Sequence, residues 1–193
     1  QSNISSGSTL SATNDTLKLK ITLLNSYGNQ TPIFYDWSLT VLDAPAAAIT
    51  PAGATTFCQG GSVILNANTG TGLTYIWYKN GNVISGATSS SYTATQSGNY
   101  TVNISNGCSA TSAPVTVTVN SLPTAEAGNN QTVCAGTSVT LTASGGTTYL
   151  WNNGVTQGVP FTPTATNTYI VTVTDGNGCS NTDNVTVTVN PIP

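Results

Sequence analysis

The chain repeats one pattern. From Cys58 it reads Cys58-Gln-Gly-Gly-Ser-Val-Ile-Leu-Asn-Ala, Tyr75-Ile-Trp77, Tyr92, Gly98-Asn-Tyr100-Thr-Val-Asn-Ile, Asn106-Gly-Cys108 and Val115-Thr-Val-Thr-Val-Asn120. From Cys134 it reads Cys134-Ala-Gly-Thr-Ser-Val-Thr-Leu-Thr-Ala, Tyr149-Leu-Trp151, Phe161, Tyr169-Ile-Val-Thr-Val, Asn177-Gly-Cys179 and Val185-Thr-Val-Thr-Val-Asn190. The first strand valine follows the cysteine by five residues in both copies, and Tyr92 to Tyr100 matches Phe161 to Tyr169 at eight. Such agreement marks two copies of one structural unit. Trp77 to Tyr92 is fifteen residues but Trp151 to Phe161 only ten, so the second copy lacks a short hairpin or loop.

Within each copy the apolar residues alternate. Val63/Leu65/Ala67, Val139/Leu141/Ala143 and Val185/Val187/Val189 each place apolar groups on one face, as half-buried antiparallel strands require. Asn80-Gly81, Asn106-Gly107, Asn153-Gly154 and Asp175-Gly176-Asn177-Gly178 read as turns, because these residues tolerate positive φ. No window carries helical periodicity with a cap, and short strands at this spacing predict a sandwich or barrel. Pro45, Pro123 and the closing Pro191-Ile-Pro193 mark stiff junctions. The expected fold class is all-β: tandem antiparallel β-sandwiches over 44–121 and 122–193. Residues 1–43 differ. Leu17–Leu23 and Ile33–Val41 read as two strands. A lone hairpin is marginal in water, so they are expected to be the last strands of a preceding sandwich, cut by the fragment boundary.

Composition removes several function classes. His is absent, which excludes His-based triads, His general bases and His metal ligands. The three basic residues, Lys18, Lys20 and Lys79, neutralise too few phosphates for nucleic-acid binding. No apolar run approaches the roughly 20 residues that span a bilayer, so no direct membrane insertion is expected. Only 5% of residues are charged, against about 25% in an ordinary soluble domain; Ser, Thr, Asn and Gly must supply solubility. The chain begins at Gln1 without a signal-peptide pattern and has no Met, as a processed chain or a fragment would.

Trp77-Tyr-Lys-Asn-Gly81 and Ser97-Gly-Asn-Tyr100 resemble an immunoglobulin-type domain, with Trp77 as the core Trp of strand C and Tyr100 as the tyrosine corner of strand F. More closely, Cys-x-Gly-x-Ser-Val-x-Leu-x-Ala, Tyr-x-Trp, Tyr-x-Val and Asn-Gly-Cys-Ser resemble the immunoglobulin-like, PKD-like repeats of secreted and cell-surface proteins of the Bacteroidota. The match spans about 51–191, with Trp77, Trp151, Tyr100 and Tyr169 as core markers. The resemblance implies export by a type IX secretion system and a place in a surface or gliding adhesin or beside a large secreted hydrolase. Thr31-Pro-Ile and Trp37-Ser-Leu-Thr-Val resemble the closing strand of a jelly-roll-type module.

Cysteines in a secreted β-protein usually form disulfides. Immunoglobulin topology puts Cys58 before strand B, at one end of a sandwich, and Cys108 after strand F, at the other. A strand of about seven residues spans roughly 23 Å, while a disulfide needs Cα atoms within about 7 Å. In a head-to-tail tandem the start of strand B faces the F–G turn of the next repeat. The topology thus implies a bond from Cys58 to Cys179, with Cys108 and Cys134 turned to domains outside the chain. Pairing within each repeat, Cys58–Cys108 and Cys134–Cys179, and unpaired thiols stay open as alternatives. Without His or Cys-x-x-Cys no metal site is expected.

The six carboxylates, Asp15, Asp36, Asp43, Glu126, Asp175 and Asp183, are scattered, whereas a glycosidase needs two that are positioned together. Turn or solvated roles are expected for them; a calcium loop at Asp175-Gly-Asn-Gly with Asp183 would lack ligand density. Most aromatics fall on inward positions as core, while Phe34 and Tyr78 are expected to point outward, where they would offer a platform for sugar stacking. Asp15-Thr16-Leu17 resembles a Bacteroidota O-glycosylation acceptor, with Thr16 as the acceptor; Asn99-Tyr-Thr and Asn184-Val-Thr read as chance sequons. The expected function is a non-catalytic extracellular stalk or adhesin segment, with no catalytic residue and no cofactor. The alternative is an accessory spacer or carbohydrate-binding region of a secreted polysaccharide-degrading enzyme. The expected partners are neighbouring domains of the same protein and a surface polysaccharide or other adhesion ligand.

Overall fold

The computed structural model describes residues 43–193. The strands expected within 1–43, with Thr16 and Phe34, lie outside the described residues, which contain thirteen strands and no helix.

The first nine strands are β1 (Ile49–Pro51), β2 (Thr56–Cys58), β3 (Val63–Ala67), β4 (Thr74–Lys79), β5 (Asn82–Val83), β6 (Ser91–Ala94), β7 (Gly98–Ser105), β8 (Ser109–Thr111) and β9 (Val115–Asn120). They form two facing layers, one ordered β1-β3-β6 and the other β2-β9-β7-β4-β5, with β8 paired to β7. Adjacent strands are antiparallel except β2, which runs parallel to β9. Period-two alternation does the sorting. Val63 and Leu65 of β3, Tyr75 and Trp77 of β4, and Tyr100, Val102 and Ile104 of β7 point inward into one core. Trp77 is fully buried and donates Nε1–H to the Ser89 carbonyl at 2.9 Å, which satisfies the one polar atom that it takes from water. Tyr100 donates its hydroxyl to the Gln96 carbonyl four residues upstream at 2.9 Å, the geometry of a tyrosine corner. Burial is the main cause that raises its pKa.

The last four strands are β10 (Gln131–Cys134), β11 (Thr148–Trp151), β12 (Asn167–Thr174) and β13 (Ser180–Asn190), ordered β10-β13-β12-β11. A second core gathers Val139, Leu141, Trp151, Tyr169, Val171, Val173, Val185 and Val187. Here β10 runs parallel to β13, as β2 does to β9.

The copies differ in two places. The final strand of the first is split into β8 and β9 around Ser112-Ala-Pro114, because Pro114 has no N–H for a ladder. Buried Ser112 bridges the gap, accepting the Val102 N–H on Oγ at 3.1 Å. The second copy has the uninterrupted β13 instead. The alternating segment 139–143 is predicted as a strand, and its apolar residues are buried. It nevertheless forms no continuous ladder: it joins its neighbours through isolated bridges, Val139 to Phe161 and Glu126 to Ser144, and through the Gly158 N–H on the Leu141 carbonyl at 3.0 Å. The shortened middle of this copy has no strand corresponding to β5, and β6 is reduced to the single Phe161 bridge. Gln157 takes over part of the missing ladder: its side-chain amide accepts the Ala143 N–H and donates to the Ala143 carbonyl.

Candidate functional site

The most constructed feature outside the two cores is the junction between them, and it is assembled from three short segments. The first is the end of β2. Parallel register sets Cys58 opposite Asn120, and the Gln59 N–H donates to the Asn120 carbonyl at 2.8 Å. The chain then turns back at once, with the Gly61 N–H on the Cys58 carbonyl at 2.9 Å. Cys58 is therefore held at the edge of the first copy, beside the point where β9 ends.

The second segment is the turn from β12 to β13. Asp175 organises it: Oδ1 accepts the N–H groups of Asn177 (2.8 Å) and Cys179 (2.9 Å). Its own N–H donates to the Cys179 carbonyl at 2.9 Å. An Asp that ties its own loop in this way is a local substitute for a ladder. This carboxylate is a turn-former, and it aims Cys179 away from solvent; Cys179 is fully buried.

The third segment is the linker. Pro123 is buried, and its carbonyl accepts the Asn181 Nδ2–H at 3.0 Å, two residues beyond Cys179. With the linker seated there, Cys58 and Cys179 are covalently joined. Their sulfurs are 2.00 Å apart, their Cα atoms 5.6 Å apart, and the bond closes 121 residues of chain.

The remaining predicted residues are placed as follows. Cys108 sits half-buried on the β7–β8 turn, the counterpart of the Cys179 turn, with its N–H on Asn106 Oδ1 at 3.1 Å. Cys134 ends β10 as an exposed thiol opposite Asn190. Trp151 and Tyr169 are buried in the second core. Trp151 donates Nε1–H to Gln157 Oε1 at 2.8 Å. Asp183 accepts the Ala127 N–H on Oδ2 at 2.7 Å. This bond and one from Asn184 hold its carboxyl below the ordinary carboxylate value. Among the described residues no three of His, Cys, Asp and Glu come together in a way that could hold a metal ion. Gln157 is the structural residue that the sequence reading missed. The one signal available was the loss of five residues between the second Trp and the next core aromatic, which left backbone groups to be satisfied by something else.

The topology is that of an immunoglobulin-like sandwich. Residues 45–120 match the family described as "Ig-like domain CHU_C associated". The match covers the first copy, less than half of the chain. Solved structures that align with the chain include an I-band fragment of titin, at 13% identity and a TM-score of 0.40, covering 78% of this chain and 67% of that one. The insect immune protein hemolin aligns at 18% identity and a TM-score of 0.43, covering 74% of this chain and 47% of hemolin. The first eight Ig domains of Down Syndrome Cell Adhesion Molecule align at 14% identity and a TM-score of 0.43, covering 74% of this chain and 24% of that one. The chain thus spans less than half of the two adhesion-related structures. No curated protein matches it.

Proposed function

We propose that the chain is a non-catalytic, load-bearing stalk segment of a secreted or cell-surface protein, with residues 44–121 and 122–193 as successive immunoglobulin-like repeats. The observation that carries the reading is the Cys58–Cys179 bond between the two cores. Such a bond persists in an oxidising, extracytoplasmic compartment. It also changes where tension goes. Force applied at the two ends passes from Cys58 through the sulfurs to Cys179, and most of both cores lies inside the closed loop. The partners of this segment are then neighbouring domains of the same protein and an adhesion ligand carried elsewhere on it. Export through a type IX system of a member of the Bacteroidota fits the family description matched by 45–120.

Pulling a single chain from its ends tests this. In reductant the unfolded chain should lengthen by roughly 400 Å relative to the oxidised chain, the reach of 121 residues at about 3.3–3.6 Å each. Equal extensions with and without reductant would remove the load-bearing reading.

A further inference from the structure

The second copy repeats the setting of Cys58 at Cys134. Cys134 ends β10 as Cys58 ends β2, in the same parallel register: Cys58 lies opposite Asn120, and Cys134 opposite Asn190. The surrounding backbone bonds also correspond. The Gln59 N–H meets the Asn120 carbonyl at 2.8 Å, and the Ala135 N–H meets the Asn190 carbonyl at 2.8 Å. Gly61 closes the turn onto the Cys58 carbonyl at 2.9 Å, and Thr137 onto the Cys134 carbonyl at 3.1 Å. The residues after the last strand correspond as well. Asn120-Ser-Leu-Pro123 leads into the second copy, and Asn190-Pro-Ile-Pro193 has the same length, with an apolar residue and Pro at the same places. What differs is the cysteine itself: Cys58 is half-buried and bonded to Cys179, whereas Cys134 is an exposed thiol.

We infer that Cys134 is a docking cysteine for one partner, the Asn-Gly-Cys-Ser turn of a further immunoglobulin-like repeat seated on Pro193. The inference rests on the stalk reading. Its chemistry is a two-electron oxidation: the two thiols lose their protons, an S–S bond forms, and a disulfide oxidant such as oxidised glutathione accepts the electron pair and becomes two thiols. Cys134 lies inside the loop closed by Cys58 and Cys179. Each bond of such an array would therefore overlap the next in sequence, giving an interlocked covalent path along the repeats.

The test extends the whole chain by a copy of residues 124–193 fused directly after Pro193, so that Pro193 takes the place of Pro123. After folding with oxidised glutathione, peptide mapping without reductant should find Cys134 joined to the appended counterpart of Cys179. Maleimide labelling of Cys134 should fall at least tenfold relative to the unextended chain. Replacing the appended counterpart of Cys179 with Ser should restore that labelling while the Cys58–Cys179 bond still forms, which also reports that the chain has folded. Full labelling of Cys134 in the extended chain, or its bonding to any other cysteine, overturns the inference but leaves the stalk reading standing if Cys58–Cys179 is present. Absence of both bonds overturns both.

Discussion

Gln157 holds both backbone groups of Ala143, fourteen residues upstream. Its Oε1 accepts the Ala143 N–H at 3.1 Å, and its Nε2 donates to the Ala143 carbonyl at 2.9 Å. The same Oε1 accepts the Trp151 indole N–H at 2.8 Å. One side chain thus does what the segment leading into β6 does in the first copy, where the Ala67 N–H meets the Ser90 carbonyl and the Trp77 indole meets the Ser89 carbonyl.

Gln157→Ala should therefore destabilise the second copy by about 2 kcal/mol or more, since a polar group left unpaired away from water costs about 1–3 kcal/mol. Urea unfolding gives the magnitude, and hydrogen exchange at Ala143 and at the Trp151 indole gives the location. A midpoint within error of the parent, with both protons still protected, would mean that the three bonds contribute nothing.

Removing the junction bond should cost stability without touching either core. Cys58→Ser with Cys179→Ser, or simple reduction, frees a loop of 121 residues and should lower unfolding free energy by an amount on the order of 2–4 kcal/mol. Denaturant curves with and without dithiothreitol should show this for the parent and no reductant effect for the double variant. Coincident parent curves would contradict it.

Gly145 should tolerate no side chain. It sits at φ +101°, and a Cβ there would lie 1.7 Å from the Thr124 carbonyl oxygen, a backbone atom that cannot swing aside. The strand entry at 124–126 would have to move, breaking the reciprocal bonds between Glu126 and Ser144. Gly145→Ala is expected to cost at least about 2 kcal/mol, whereas Gly176→Ala, with open space around it and no positive φ, should be close to neutral. Thermal unfolding of the two variants side by side decides the point; equal midpoints would refute it.

Acid should weaken the second copy through Asp183. Hydrogen bonds from the Ala127 and Asn184 N–H groups lower its pKa from the ordinary 3.8. The fold therefore prefers the ionised form. The stabilisation is whole above the ordinary value and is lost as pH falls through the lower folded value. Asp183→Asn should flatten the dependence of the melting temperature between about pH 5 and pH 2, and parallel curves for parent and variant would exclude this role.

The all-β class was legible because alternation is a local property. A residue such as Leu65 needs only its neighbours at 63 and 67 to declare which face is apolar, and both faces of β3 follow from that. The turns were legible for the same reason: Asn80 and Asn153 sit at φ 51° and 54°, each followed by a positive-φ glycine, as their residue types allow. The ladder at 139–143 was not legible, because alternation reports which side of a strand is buried and says nothing about whether a partner strand lies beside it.

The junction divides in the same way. The repeat alone places the four cysteines at equivalent positions, one before the first long strand of each copy and one on its last turn. The topology implied the pair Cys58–Cys179 but left pairing within each repeat and unpaired thiols open, and it is the folded arrangement that selects the bond between copies. That choice depends on the length and seating of the Ser121-Leu-Pro123 linker and on the bond from Asn181 to the Pro123 carbonyl. A disulfide forms where two Cα atoms are brought within about 7 Å, and here that distance is set between two separately folded cores, a relation that no periodicity within either copy encodes.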